Sequence, residues 1–165
     1  MKQVLSITAV LTLFFALQGT TQEIQAQPMG YNLGIGGQLG DPSGLSIKYY
    51  RSNAGGSLNF RAWDLLLAWD LGNDDYDRLF VNLHGEFERP LSDIPLKFFY
   101  GPGIFVGIVD FENRDSRFYA GISGDFGLAY EIDRFDIFGR LTPRLALVPD
   151  TNGDLGGGIG VRFWF

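Results

Sequence analysis

The sequence predicts an all-β fold: an eight-stranded up-and-down antiparallel transmembrane β-barrel, preceded by a cleavable signal peptide. Three observations predict it. From Tyr31 onward apolar residues recur with a period of two rather than 3.6. Glycine is abundant (23 of 165 residues) in a chain that is also 15% aromatic, whereas glycine-rich disordered chains lack aromatics and soluble domains carry roughly half as much glycine. Finally, the charged residues in mid-strand fall on the same face as most of the glycines.

The first residues read as an address. Met1-Lys2 is positive, Val4 to Leu17 is almost continuously apolar, and polar Gln18 to Gln25 leads to Ala26. This is the pattern of a secretory signal peptide over 1–26, with cleavage after Ala26, and the run is shorter than the ~20 residues a spanning helix needs. Residues 27–165 then form a single barrel domain without a linker. Any membrane crossing within it is by strands.

The strands follow in order. The first, from Tyr31 to Gly40, sets Tyr31, Leu33, Ile35 and Leu39 against Asn32, Gly34, Gly36, Gln38 and Gly40. Asp41-Pro42-Ser43-Gly44 supplies a turn. The second alternates Leu45, Ile47 and Tyr49 with Ser46, Lys48 and Tyr50, and 52–56 breaks the chain. The third, over 57–71, sets Trp63, Leu65, Leu67 and Trp69 against Asp64, Ala68 and Asp70, ahead of a polar tip at 72–78. The fourth, over 79–89, alternates Val81, Leu83 and Phe87 with Asn82, His84, Glu86 and Glu88, and 90–95 is the next break.

The fifth, over 96–109, sets Phe98, Tyr100, Ile104, Val106 and Ile108 against Gly101, Gly103, Phe105 and Gly107. A charged loop is expected at 110–117. The sixth carries Phe118, Ile122, Phe126, Leu128 and Tyr130 opposite Ser123, Asp125 and Glu131. Asp133-Arg134 turns into the seventh, where Ile137, Leu141, Leu145 and Leu147 oppose Asp136, Arg140, Thr142 and Arg144. After a turn at 149–153, the last sets Leu155, Ile159, Val161, Phe163 and Phe165 against Gly156, Gly158, Gly160, Arg162 and Trp164.

Alternation alone leaves open which face is inside. A soluble lipocalin-like barrel buries its apolar face around a ligand, and a membrane barrel shows it to lipid. The glycines decide for the second. They lie mainly on the polar face (Gly34, Gly36, Gly40, Gly101, Gly103, Gly107, Gly121, Gly127, Gly156, Gly158 and Gly160) and less often on the apolar one (Gly37, Gly85, Gly124, Gly139 and Gly157). A water-facing sheet gains nothing from glycine, but the narrow bore of an eight-stranded barrel needs bare backbone beside bulky side chains. The charges agree. Lys48, Arg140, Arg144 and Arg162 with Asp64, Glu86 and Asp125 make a plausible closed network in a dry bore, where charges persist only when paired. Tyr31, Tyr49, Trp63, Trp69, Phe98, Tyr100, Phe118 and Tyr130 lie toward strand ends, as an aromatic girdle requires.

Several functions are excluded or weakened. A formal charge of −6 opposes nucleic-acid binding, the absence of cysteine removes thiolate chemistry, and one histidine precludes a histidine-rich metal site. His84 with Glu86 and Ser123 is the one Ser/His/acid set, but all three point into the bore, away from lipid. Asp150 to Asp154 resembles a fragment of a calcium loop without its distal Glu. Asp74, Asp75 and Asp77 are weak cation candidates. No catalytic residue, cofactor or metal is expected.

The run Gly37-Gln-Leu-Gly-Asp-Pro-Ser-Gly-Leu-Ser-Ile-Lys-Tyr-Tyr50, with Leu147-Val-Pro-Asp150 and Gly157-Gly-Ile-Gly-Val-Arg-Phe163, resembles small outer-membrane β-barrel proteins similar to the OmpA/OmpX transmembrane domain. The alternating Ile159, Val161, Phe163 and Phe165 resemble the C-terminal strand signal that the barrel-assembly machinery reads. The resemblance implies a fold and an outer-membrane location. The expected partners are outer-membrane lipids and that machinery; the sequence does not fix an oligomeric state, and a monomer is the expectation. The expected function is a structural envelope role with a side-chain-plugged lumen. Two alternatives are passage of small solutes or ions through the barrel, and a lipid A deacylase-like enzyme.

Overall fold

The computed structural model describes residues 30–51, 59–70, 76–91, 94–111 and 114–165. Within them run eight strands: β1 (Leu33–Asp41), β2 (Gly44–Tyr50), β3 (Ala62–Asp70), β4 (Tyr76–Pro90), β5 (Leu96–Phe111), β6 (Arg114–Ile132), β7 (Phe135–Val148) and β8 (Asn152–Trp164). Each pairs antiparallel with the next, and β8 returns to β1 to close the barrel. The closing register runs from Gly34 opposite Trp164 to Asp41 opposite Gly157. Closure leaves no sheet edge, so every strand finds its hydrogen-bond partners within the wall. The fold is the predicted all-β, eight-stranded up-and-down barrel. The expected signal peptide at 1–26 and the break at 52–56 lie outside the described residues.

Three boundaries differ from the sequence expectation. The loop expected at 110–117 is largely strand, because β5 runs to Phe111 and β6 starts at Arg114. Charged residues can continue a ladder once it leaves the apolar zone, so composition alone marks that zone rather than the strand end. Tyr76 to Arg78, expected in a polar tip, likewise belong to β4. The third strand, expected from 57, begins only at Ala62.

The late start of β3 has a physical cause in Phe60. Its ring leaves the inward alternation and lies on the outer wall between Trp63 (5.4 Å between centroids) and Phe87 (5.0 Å). A Cβ at outward-facing Gly85 would stand 2.5 Å from Phe60 Cδ2, so the ring covers bare backbone.

Alternation sorts the two faces. Outward-facing Leu39, Ile104, Ile122, Leu141, Leu155 and Ile159 are at least half exposed, whereas Asp125 and Arg140 are buried inside. An exposed apolar surface this continuous is untenable in water and suits acyl chains. No helix among the described residues is long and apolar enough to cross a membrane. The crossing elements are the strands.

The interior is layered. Toward the end that carries the β1–β2 and β7–β8 hairpins, here the tip end, Leu66, Ala68, Phe80 and Phe105 pack together with Tyr119 and Ala146. Toward the opposite end, Tyr50 stacks on Trp164 at 5.1 Å beside Ala62, and Phe99 packs with Ala129 and Phe138. Charged residues fill the space between. Glycine makes the room: a Cβ at Gly160 would come within 2.3 Å of Phe138, one at Gly127 within 2.3 Å of Phe99, and one at Gly107 within 2.2 Å of Tyr119.

Candidate functional site

The interior charges meet across the bore rather than along one strand. From β7, Arg140 donates through Nη1 and Nη2 to the two carboxylate oxygens of Asp64 on β3, at 2.9 and 3.0 Å. The same Nη1 donates to Asp125 of β6 at 3.0 Å. Two parallel bonds to one carboxylate are the strong, orienting form of this pair. Arg162 of β8 donates to Asp64 through Nη1 and to Asp136 through Nε at 3.2 Å. Its guanidinium lies 4.0 Å from the centroid of Phe138, which also faces Arg140 at 4.8 Å. The aromatic face therefore shields both cations from one side.

Lys48 extends this cluster toward the opposite end. It is the register partner of Asp64 and pairs with Glu86 at 2.6 Å and with Glu88 at 2.5 Å. Tyr50 donates to both Glu88 oxygens at 2.8 Å. Beyond it, Lys97 pairs with Glu131.

Of the residues singled out from the sequence, Lys48, Asp64, Glu86, Asp125, Arg140 and Arg162 lie in one buried cluster. Arg144 stands apart. It sits at the tip end, donating through Nη2 to Asp154 and, at 3.3 Å, to Asp41. Sequence reasoning left Glu88, Lys97 and Asp136 out of the network, although their alternation places them on the same face. Glu88, Lys97 and Asp136 lie within two residues of the ends of β4, β5 and β7, so the ion pairs reach beyond the mid-strand charges.

The Ser/His/acid set is arranged differently from its sequence grouping. Ser123 Oγ lies 3.1 Å from His84 Nε2 and donates to Asn82 Oδ1 at 2.9 Å. The acid nearest His84 is Asp125, 3.8 Å from Nδ1 and beyond hydrogen-bond reach, whereas Glu86 pairs with Lys48. The imidazole Nδ1 has no hydrogen-bond partner among the described residues, so the carboxylate bond that orients the histidine of a Ser/His/acid triad is not made here. Asp64, His84 and Asp125 could each offer an atom to a metal ion. Arg140 donates to both carboxylates and already supplies the cation there. The calcium-loop fragment resolves similarly, since Asp154 pairs with Arg144. Asp74 and Asp75 lie outside the described residues, and nothing is assigned to the Asp77 side chain.

On β8, Ile159, Val161 and Phe165 face outward and are exposed. Phe163 packs edge-to-face between Phe135 (5.1 Å) and Phe165 (4.9 Å). The four form one continuous apolar stripe beside the β8–β1 seam.

A closed eight-stranded barrel with an apolar outer wall and an ion-paired interior defines a transmembrane β-barrel of the small outer-membrane type. No protein-family model matches the chain, and no curated protein matches it. Among solved structures it is similar to the N-terminal β-barrel domain of Pseudomonas aeruginosa OprF, with a TM-score of 0.59 and 16% identity over 81% of this chain and 96% of that chain. Neisserial surface protein A (NspA) aligns with a TM-score of 0.47 and 12% identity over 81% of this chain and 94% of that one. The OprF likeness extends to the fold.

Proposed function

We propose that this protein is a resident of the outer membrane whose bore is closed by its own side chains, serving a structural envelope role without catalysis. The observation that carries this reading is the cluster of Arg140, Arg162, Asp64 and Asp125, with side chains wholly buried, between aromatic layers at both ends. Buried ions held by several partners resist separation, because an ion left without its partner bears the full desolvation cost. Arg144 adds a second closure at the tip end.

In this reading residues 1–26 direct export and are removed, and 27–165 form the barrel. The outward stripe of Ile159, Val161, Phe163 and Phe165 serves recognition by the assembly machinery. The barrel works as a monomer surrounded by lipid, with the 41–44 and 149–151 turns on the outer surface. Reconstitution into planar bilayers tests the closure. The reading predicts no stable conductance of general-porin size, and a steady porin-sized current would overturn it.

A further inference from the structure

The structure assigns a lipid site on the outer wall: we propose that the β2–β3 pair, at the end opposite the tips, holds an anionic glycerophospholipid by its phosphate. The proposal rests on the outer-membrane reading given above, and its test separates the two. Four rows of outward residues cross this strand pair. By register Leu45 stands opposite Leu67, Ile47 opposite Leu65 and Tyr49 opposite Trp63. Beyond them the ladder continues through the Arg51 N–H, which donates to the Arg61 carbonyl oxygen at 3.0 Å. The same parity brings both arginines to the outer face, where each is half-buried rather than enclosed.

Each row matches one layer of a lipid. The two aliphatic rows suit acyl chains. Tyr49 and Trp63 are 47% and 37% exposed, and rings with a polar tip settle where hydrocarbon gives way to headgroups. The arginine row therefore falls at the depth of the phosphates. Directly opposed residues on one sheet face have Cβ atoms about 4.5–5.5 Å apart, and like charges there repel. A phosphodiester between them reverses the sign of that interaction, and its oxygens accept the paired N–H bonds that guanidinium groups offer. A zwitterionic headgroup is disfavoured, because its ammonium brings a further positive charge to the arginines.

The arrangement is local. Arg89, on the outward parity of β4 beyond Phe87, adds a cation on the same side. At the tip end of the same strand pair the ladder closes on uncharged Ser43 and Trp69. On the far side of the ring, β6–β7 carries the rows Leu128 with Gly139, Tyr130 with Ile137 and Ile132 with Phe135, and ends in the Asp133-Arg134 turn. There a single guanidinium lies 4.6 Å from the Tyr31 ring centroid, next in sequence to an exposed carboxylate. Arg134 is thus a cation at the same end of the barrel that lacks the opposed partner.

The test uses the full exported protein in non-ionic maltoside micelles. Native mass spectrometry counts retained lipid, and amide chemical shifts locate it. Dioleoyl-phosphatidylglycerol and dioleoyl-phosphatidylcholine are offered in equal amounts. The expected result is a preference of about tenfold or more for phosphatidylglycerol, with shifts centred on Tyr49 to Arg51 and Arg61 to Trp63. Arg51→Gln combined with Arg61→Gln is expected to bring the ratio close to one, and Arg134→Gln to leave it unchanged. Heat-modifiable gel mobility verifies that each barrel is folded. Equal retention of the two lipids by the unaltered protein overturns the site, as does a preference that survives the double substitution or is lost on Arg134→Gln. Inorganic phosphate that shifts the same amides at equal concentration overturns the lipid assignment. Should the double variant fail to fold, the lipid ratio and the shift map of the unaltered protein decide the question. A chain that stays folded and soluble without detergent contradicts the outer-membrane reading itself, before any lipid is added.

Discussion

Arg140 and Asp64, 76 positions apart in sequence, meet across the bore through two parallel hydrogen bonds of 2.9 and 3.0 Å, with both side chains wholly buried. The pair ties β7 to β3 through the interior, a connection independent of the wall's own ladder. Each partner has a second tie, Arg140 to Asp125 and Asp64 to Arg162. The interior is thus cross-braced.

Removing both members of this pair should cost less than the sum of the two single removals. Arg140→Met leaves Asp125 without its cation, and a lone buried charge costs about 3–5 kcal/mol. Asp64→Leu leaves Arg140 and Arg162 short of a carboxylate. Urea unfolding in micelles, followed as a double-mutant cycle, should show a coupling of about 1–3 kcal/mol between the two sites. Additive effects would mean that the pair does not act as a unit.

The inward and outward glycines should respond in opposite ways to a methyl group. At Gly160 an added Cβ meets Phe138 and the Gly37 carbonyl oxygen at 2.3 and 2.4 Å. Gly160→Ala should therefore destabilise the barrel by about 1–3 kcal/mol, as overpacking does. At outward Gly139 the nearest atom is Ile159 Cγ2 at 3.8 Å, and Gly139→Ala should stabilise by about 0.5–1 kcal/mol. The same unfolding assay in micelles separates the two, and equal effects would contradict the assignment of faces.

The outer wall should reject charge according to depth. Ile104, 60% exposed and near the middle of β5, faces outward between Leu83 and Ile122. Ile104→Arg should cost about 2–4 kcal/mol in a bilayer, the penalty for a cation near the midplane. Leu39→Arg, close to the tip end of β1, should cost about 0–1 kcal/mol. Folding titrations into lipid vesicles would measure both, and no depth dependence would argue against a lipid-facing wall.

Phe60 and Gly85 offer a more local check. The ring covers bare outer backbone and is only 5% exposed. Phe60→Ala should destabilise by about 3 kcal/mol, the lower end of the range for a buried aromatic. Combining it with Gly85→Val, which refills the outer surface, should recover part of the loss. Unfolding of the single and double variants reads this directly.

Much of this architecture is legible from the period-two pattern, because in a barrel one parity faces the bore along a whole strand. That is why Lys48, Asp64, Glu86, Asp125, Arg140 and Arg162 could be assigned to one face without coordinates. Their pairing could not be read, since partners such as Asp64 and Arg140 sit on opposite walls and are joined only by closure and register. Parity also failed where a ring leaves its strand, as with Phe60, whose burial comes from lateral packing on the outside. Tyr100 shows the same effect within the expected girdle: it faces outward yet is buried between Phe87 and Phe98, at 5.5 Å from each.

The central claim is that the apolar face meets acyl chains while the charged face closes the interior. The chain has no cysteine, so single cysteines at Ile104, Leu128, Ile159 and Val161 can carry nitroxide labels without background. Collision rates with oxygen and with a water-soluble nickel chelate, measured in reconstituted bilayers, test the claim most directly. The account predicts frequent oxygen collisions and few chelate collisions at all four positions. Frequent chelate collisions at Ile104 and Val161 would contradict it.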